Sequence, residues 1–121
     1  MYYKYDMNVH SYLMELTKLF KLLSDESKYK IVKHLMKGEE CVCTIAEELG
    51  LEQSLVSHHL NKLREAGLII DRKVGSWIHC SLNKDVFDKL EKTFIKEFAI
   101  TNIKDKPCSE HDVCCALPKK I

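Results

Sequence analysis

The chain has 121 residues, of which 45% are hydrophobic and 31% charged, and its formal net charge at pH 7 is +1. That length fits one compact domain, and no apolar run approaches the roughly 20 residues that a membrane-spanning helix needs. The composition therefore predicts a globular protein with no membrane partner, and an N-terminus without an apolar signal-peptide core predicts a cytoplasmic location.

The first two predicted helices fill the N-terminal third of the chain. Apolar residues recur at helical spacing from Val9 to Leu23 and form one stripe. A polar break over residues 24–27 offers N-cap side chains for a second helix. The second helix stays apolar on one side up to Met36 and ends at Gly38, since glycine commonly terminates helices.

A tight turn joins the next two predicted helices. The third helix carries apolar residues at positions 45, 46 and 49 and stops at Gly50. The fourth runs from about Gln53 to Ala66, with Gly67 as its C-cap. Its inner face is formed by Val56, Leu60 and Leu63. Two short helices around a tight turn predict a helix-turn-helix.

The hydrophobic period then changes from helical to alternating. Two β-like runs, residues 68–73 and 77–82, flank a glycine-containing turn and predict a hairpin. A last helix begins near Lys84 and fades before Pro107. The predicted fold is therefore mainly α with a small β-hairpin, a winged helix-turn-helix. A small α+β domain with no DNA role is the alternative.

The chain divides into a folded domain and a tail. We assign residues 1–100 to the winged helix-turn-helix domain, which would carry both DNA binding and dimerisation. Residues 101–121 are polar and contain cysteines, and we expect them to form a flexible C-terminal tail.

The fourth helix is the predicted DNA-contacting element. In a helix-turn-helix, this helix lies in the major groove and its N-terminal residues face base edges. With the apolar face inward, the outward residues are Gln53, Ser54, Ser57, His58 and Lys62. Glutamine can bond adenine through two hydrogen bonds, and serine can reach bases or phosphates. Arg72 and Lys73 on the hairpin are placed to reach the DNA backbone, whereas His59 falls on the core side.

Six cysteines are the compositional outlier. In a reducing compartment, cysteines indicate metal binding or redox chemistry more often than disulfides. Cys80 is the single cysteine of the second β-like run and is predicted to be a small buried residue. Cys41 and Cys43 are two residues apart, a spacing that places side chains on different faces of a regular helix. If both thiolates bind one ion, the chain is expected to bend at the start of the third helix.

Thiolate chemistry restricts the ion. Two thiolates suit soft ions such as trivalent arsenic or antimony, Cd(II), Pb(II), Zn(II) and Cu(I). The pair supplies only two ligands, so further ligands must come from elsewhere in the chain. The candidates are the tail thiols of Cys108, Cys114 and Cys115, with the His111 imidazole as a weaker one.

Several segments resemble the ArsR/SmtB family of metal-responsive winged-helix repressors, over roughly Leu16 to Leu82. The family's entry to the second helix resembles the segment LFKLLSDESKYKIVKHL of this chain. The family's Cys-Val-Cys metal box and the recognition helix that follows it resemble the segment GEECVCTIAEELGLEQSLVSHHLNKLREAGLI. The family's wing resembles the segment RKVGSWIHCSL. One departure is Glu26-Ser27-Lys28, where many members have Pro-Thr-Arg.

The resemblance implies a homodimer bound to double-stranded operator DNA of dyad symmetry, with repression relieved by a metal or metalloid. In the family the first and last helices form the dimer interface. We therefore expect the interface to contain Tyr12, Leu16, Leu19, Phe87, Leu90 and Phe94. The same stripes could instead pack within one chain, and one helix face can serve both purposes.

The resemblance also implies which ion sites to expect. Residues 84–89 have carboxylates but lack the histidine of the family's zinc site on the last helix, and no cysteine precedes Cys41 as in cadmium- and lead-sensing members. Some relatives draw further thiols from the C-terminal tail. The expected ligands are therefore Cys41 and Cys43 with at least one of Cys108, Cys114 and Cys115.

Trivalent arsenic or antimony is the favoured effector of this repressor, with no organic cofactor. A Cd(II)- or Pb(II)-responsive repressor and a thiol-redox-sensing repressor are the alternatives. The sequence has no Cys-x-x-Cys in a βαβ pattern and no Gly-rich phosphate loop, so it is not expected to be an enzyme.

Overall fold

The computed structural model describes residues 16–107. Within this range, a first helix, α1, is described over residues 16–23. The elements that follow are α2 (Glu26–Leu35), β1 (Glu40–Cys41), α3 (Val42–Leu49), α4 (Gln53–Glu65), β2 (Ile69–Val74), β3 (Trp77–Leu82), α5 (Lys84–Phe98) and a 3₁₀ turn (Ile100–Asn102). The predicted winged helix-turn-helix is confirmed.

Local sequence signals fix the ends of the central helices. The Asp25 side chain caps α2 by accepting hydrogen bonds from the backbone N–H groups of Ser27, at 2.9 Å, and Lys28, at 3.2 Å. Gly50 ends α3 in the left-handed conformation, with φ of 67°. The backbone N–H of Leu51 then donates to the carbonyl of Ala46 at 3.0 Å, which closes the turn and lets α4 begin at Gln53.

The core lies between α2, α3, α4 and the sheet. Its fully enclosed side chains are Ile31, Ile45, Val56, Leu60, Leu63 and Cys80. The three predicted inward residues of α4 are all in this set, so the orientation predicted for that helix is confirmed. The predicted burial of Cys80 is confirmed as well. Removing apolar side chains of this size from water stabilises a fold by about 1.5–3 kcal/mol each.

The sheet has one strand more than the predicted hairpin. Its strand order is β1-β3-β2, and both pairings are antiparallel. Residue Cys41 of β1 is paired with His79 of β3, which is paired in turn with Arg72 of β2. The two-residue strand β1 therefore joins the cysteine pair to the wing formed by β2 and β3.

Within residues 16–107, helices α1 and α5 present an apolar face that the rest of this range leaves exposed. Of the residues predicted for a dimer interface, Leu16 and Leu90 are buried inside the chain, Leu19 and Phe87 are partly buried, and Phe94 is 45% exposed. Tyr12 lies outside the described residues. The Phe94 ring packs edge-on against Phe20 and tilted against Phe98, with centroid distances of 6.0 and 5.2 Å. Across residues 16–107, no helix is long and apolar enough to cross a bilayer.

Candidate functional site

Cys41 and Cys43 lie side by side at the beginning of α3. Cys41 is the N-cap, in extended conformation with φ of −87° and ψ of 158°, and Cys43 is in the first helical turn. Their Sγ atoms are 2.9 Å apart, and the Sγ of Cys41 is 3.0 Å from the Oγ1 of Thr44. The two thiols meet because the helix begins between them and Cys41 is not helical, and the bend expected on ion binding stays a prediction.

The contact between the two thiols separates their acidities. Hydrogen bonding from Cys43 lowers the pKa of the Cys41 thiol, and the side chain and backbone of Thr44 lower it further. The same contact raises the pKa of the Cys43 thiol. Cys41 is therefore the first of the two to become a thiolate, which is the form that binds metals and attacks electrophiles.

The pair is suited to one soft ion but supplies only two ligands. Sulfur atoms about 2.3 Å from a tetrahedral ion lie about 3.8 Å apart, so both thiolates reach one ion after their sulfurs separate by about 1 Å. Within residues 16–107, no group of three or more His, Cys, Asp or Glu side chains is arranged to hold a metal ion. The predicted additional ligands, Cys108, Cys114 and Cys115, lie outside the described residues.

The cysteine pair opens onto a shallow cleft that it shares with α4 and the wing. The cleft has a volume of about 210 Å³ and is lined by residues 41–43, Gln53 and residues 76–78. Gln53 is the first residue of α4, and residues 76–78 include the start of β3 at the end of the wing. The cysteine pair, the start of α4 and the end of the wing therefore border one cleft.

Helix α4 presents the predicted polar residues to solvent. Gln53, Ser54, His58 and Lys62 are exposed and Ser57 is half-buried. On the opposite side, His59 is 7% exposed, as its predicted structural role requires. The Nδ1 atom of His59 is buried and has no hydrogen-bond partner among residues 16–107. Burial lowers the pKa of His59, and the nearby charge of Lys28 adds to this effect.

The wing cations differ in their environment. The Arg72 guanidinium donates from Nε to one oxygen of Glu39 at 2.9 Å and from Nη2 to the other at 2.6 Å. The Nδ1 of His79 is 3.5 Å from the same carboxylate. These hydrogen bonds from Arg72 lower the pKa of Glu39. Lys73 is exposed. The role of Glu39 was not predicted from the sequence, because no local pattern connects two residues 33 positions apart.

A second arginine–carboxylate pair joins α4 to the sheet. The Nε atom of Arg64 lies 2.8 Å from Oδ2 of Asp71. The Nη2 atom of Arg64 donates a hydrogen bond to Oδ1 of the same carboxylate at 3.0 Å. Cys80 lies beneath this pair, 3.9 Å from the Arg64 Nη2. Burial, with a further contribution from Asp71, raises the pKa of Cys80 to about 11. Cys80 is therefore a neutral core thiol and not part of the exposed cysteine pair.

Comparison with known proteins relates the chain to one family of regulators. Residues 25–71 match the family model for bacterial regulatory proteins of the arsR family. The arsenical resistance operon repressor of Escherichia coli is 45% identical over 69 residues, and this match covers 56% of the chain and 59% of that repressor. The chain therefore spans less than two-thirds of the length of that protein.

Two further relatives are matched over more of their length. A cadmium resistance transcriptional regulatory protein, the CadC homolog of Staphylococcus aureus, is 35% identical over 74% of the chain and 76% of its own length. Among solved structures, an ArsR-like transcriptional regulator from Rhodococcus sp. RHA1 superposes with a TM-score of 0.64 at 27% identity, covering 70% of the chain and 80% of its own.

Proposed function

The chain belongs to the ArsR family of bacterial regulatory proteins, which are transcriptional regulators and not enzymes, and from this premise we propose that it is an ion-released repressor. It binds operator DNA as a homodimer and leaves the DNA when a soft ion binds Cys41 and Cys43. The observation that carries this proposal is the shared cleft, in which both cysteines, Gln53 and the end of the wing meet.

The exposed side of α4 supplies the DNA contacts. Gln53, Ser54 and Ser57 lie in the first half of the helix, the part that faces base edges when such a helix enters the major groove. His58 and Lys62 follow on the exposed surface and are placed to contact phosphates. Lys73 and Arg72 on the wing extend the same basic surface toward the neighbouring backbone.

The ion is soft, and trivalent arsenic or antimony is favoured. The two thiolates at Cys41 and Cys43 supply two sulfur ligands, and one tail cysteine among Cys108, Cys114 and Cys115 completes a three-sulfur site. Three sulfurs match the three-bond preference of trivalent arsenic. Cd(II) or Pb(II) is the alternative, since thiolates bind these ions too. The names of the relatives refer to arsenical and to cadmium resistance.

Release follows from the movement that ion binding requires. The sulfurs of Cys41 and Cys43 must separate from 2.9 Å to share an ion, and we propose that this movement displaces the end of β1 or the start of α3. Both elements border the cleft beside Gln53, so the spacing between α4 and the wing changes. A ligand shifts such an equilibrium only through its difference in affinity for the two states, typically about 1–3 kcal/mol, or about 5- to 150-fold.

Dimerisation uses the apolar face of α1 and α5. Phe20, Phe94 and Phe98 form one exposed aromatic cluster there, and Ile95 lies beside it on α5. A face of this kind indicates a protein contact, because soluble monomers rarely expose contiguous apolar patches. A second copy of the chain places two α4 helices on one side of the dimer, as an operator of dyad symmetry needs.

Selection of binding sites from random DNA tests the proposal, because the operator sequence need not be known. The purified protein is used to enrich duplexes from a random library, and the enriched duplex is footprinted with and without sodium arsenite or cadmium chloride. We expect an inverted repeat that is protected by the protein and loses protection with one of the two ions. Failure to enrich any sequence would exclude specific DNA binding, and protection that neither ion alters would exclude ion release.

A redox sensor is the second candidate, favoured by the 2.9 Å separation of the two sulfurs. Oxidation of the Cys41–Cys43 pair to a disulfide would displace the same segment without an ion. Loss of the footprint with hydrogen peroxide in the presence of a chelator, and its return with a thiol reductant, would identify this mechanism. Loss of the footprint with arsenite under reducing conditions would instead identify release by a bound ion.

A further inference from the structure

The outer face of the sheet holds an ion pair that bears on DNA affinity. We propose that the Glu39 carboxylate competes with DNA phosphate for the Arg72 guanidinium and so withholds one phosphate contact per subunit from the wing. This inference rests on the proposed DNA-binding function. It assigns to Glu39 a role that the sequence motifs do not suggest.

The register of the sheet explains how Glu39 reaches the wing. Cys41, His79 and Arg72 are direct neighbours across β1, β3 and β2, and directly opposed residues of an antiparallel sheet project from the same face. Glu39 immediately precedes β1, and its carboxylate extends across His79 to Arg72. The carboxylate is therefore held between two side chains of the wing.

The pairing uses the same guanidinium edge that would bind a phosphate. Nε and Nη2 of Arg72 each donate to a different oxygen of Glu39, in the two-pronged arrangement by which arginine binds both carboxylates and phosphates. The Arg72 side chain is 63% exposed, so DNA can approach it. A phosphate taking this edge must displace Glu39, and the pair as a whole carries no net charge.

The other cations of the proposed DNA surface are not held in this way. Within the described part of the chain, Lys62 and Lys73 form no ion pair with a carboxylate. Arg72 is therefore the one cation among the predicted DNA contacts whose charge is already matched. Removing Glu39's charge frees Arg72 without altering the two lysines.

The salt dependence of DNA binding tests this inference. Each phosphate contact contributes about 0.9 to the slope of log affinity against log salt concentration. We expect Glu39→Gln to tighten binding of the wild-type-selected duplex and to steepen the slope by about 0.9 per subunit. If both wings of a dimer contact DNA, the affinity of the Glu39→Gln variant falls about 12-fold more than the affinity of the wild type between about 50 and 200 mM salt.

Three further variants separate the pair from a general charge effect. Glu47→Gln removes the same charge from an exposed position of α3 that pairs with no described cation, and it should leave the slope unchanged. In an Arg72→Ala background, Glu39→Gln should also leave the slope unchanged. Glu39→Ala repeats the test should Glu39→Gln fold poorly, with thermal unfolding of each variant as the check.

The outcomes distinguish this inference from the function on which it rests. A wild-type protein that binds the selected duplex with a steep slope, together with Glu39 variants of unchanged slope, overturns the inference alone. Weaker binding by the Glu39 variants also overturns it, since Glu39 would then position Arg72 for DNA. A wild-type protein without salt-dependent DNA binding overturns the proposed function and this inference with it.

Discussion

The Sγ atoms of Cys41 and Cys43 lie 2.9 Å apart because α3 begins between them. A regular helix turns residues two positions apart to different faces, yet Cys41 is extended and its side chain folds back over the first turn. The pair is thus brought together by an ordinary helix N-terminus. The same residue that caps α3 also ends β1, so one thiol belongs to both the helix and the sheet.

The reactivity of the thiols should follow their environments. Hydrogen bonds from Cys43 and Thr44 lower the pKa of Cys41, whereas burial raises the pKa of Cys80 to about 11. We therefore expect iodoacetamide to modify Cys41 before Cys43 and to leave Cys80 unmodified in the folded protein. Peptide mass spectrometry after timed labelling measures this order. Modification of Cys80 as fast as that of Cys41 would contradict the structure. The urea-unfolded chain is the control, in which Cys41, Cys43 and Cys80 should all react.

Acid should destabilise the fold through His59. Burial lowers the pKa of His59 in the folded state, so the unfolded chain takes up a proton as pH falls through about 6.5 while the folded chain does not. The free energy of unfolding therefore declines as pH falls from about 6.5 toward the lowered pKa of His59 in the folded state. Urea unfolding of His59→Leu between about pH 7 and 5 should show a smaller decline.

The neighbouring histidine provides a matched control for that effect. His58 is exposed on the same helix, so His58→Gln should retain the acid-dependent decline of the wild type. An equal decline in the wild type and in His59→Leu would exclude His59 as its source.

The turn between α3 and α4 should depend on Gly50. Its φ of 67° lies in the left-handed region, where a side chain costs about 1–2 kcal/mol. Urea denaturation should show Gly50→Ala destabilised by about that amount, and Gly50→Asn should be less affected because asparagine tolerates this conformation better. A fully stable Gly50→Ala would show that the turn adopts another conformation.

The apolar face of α1 and α5 should control assembly. Phe98 is 61% exposed in the single chain, so Phe98→Glu should leave the monomer fold intact while placing charges in the proposed interface. Sedimentation analysis should find the wild type dimeric and this variant monomeric. Tyr29→Glu changes a similarly exposed aromatic residue of α2 and should remain dimeric. A dimeric Phe98→Glu would place the interface elsewhere.

The number of sulfurs at the ion should reveal the contribution of the tail. Thiolate charge-transfer absorption on arsenite addition should correspond to three sulfurs in the wild type. It should correspond to two in a variant with serine at Cys108, Cys114 and Cys115, while Cys80→Ser matches the wild type. Absorption that corresponds to two sulfurs in the wild type would exclude the tail cysteines as ligands.

The features that depend on regular periodicity were predictable from the sequence. The inward positions Val56, Leu60 and Leu63 and the end of α3 at Gly50 follow from the 3.6-residue repeat and from glycine's conformational freedom. The non-helical conformation of Cys41 could not be predicted, because periodicity does not locate a helix start to the residue. Strand β1 and the Glu39–Arg72 pair were not predicted either, since a two-residue strand has no repeat and Arg72 is distant from Glu39 in sequence.

An ion bound by Cys41 and Cys43 should weaken DNA binding. Fluorescence anisotropy with and without arsenite under reducing conditions measures this effect as the dissociation constant for the selected duplex. We expect the constant to rise about 5- to 150-fold in the wild type and in Cys80→Ser, and to stay unchanged in Cys41→Ser and Cys43→Ser. A Cys41→Ser protein that binds DNA and responds to arsenite as fully as the wild type would show that arsenite does not act through Cys41.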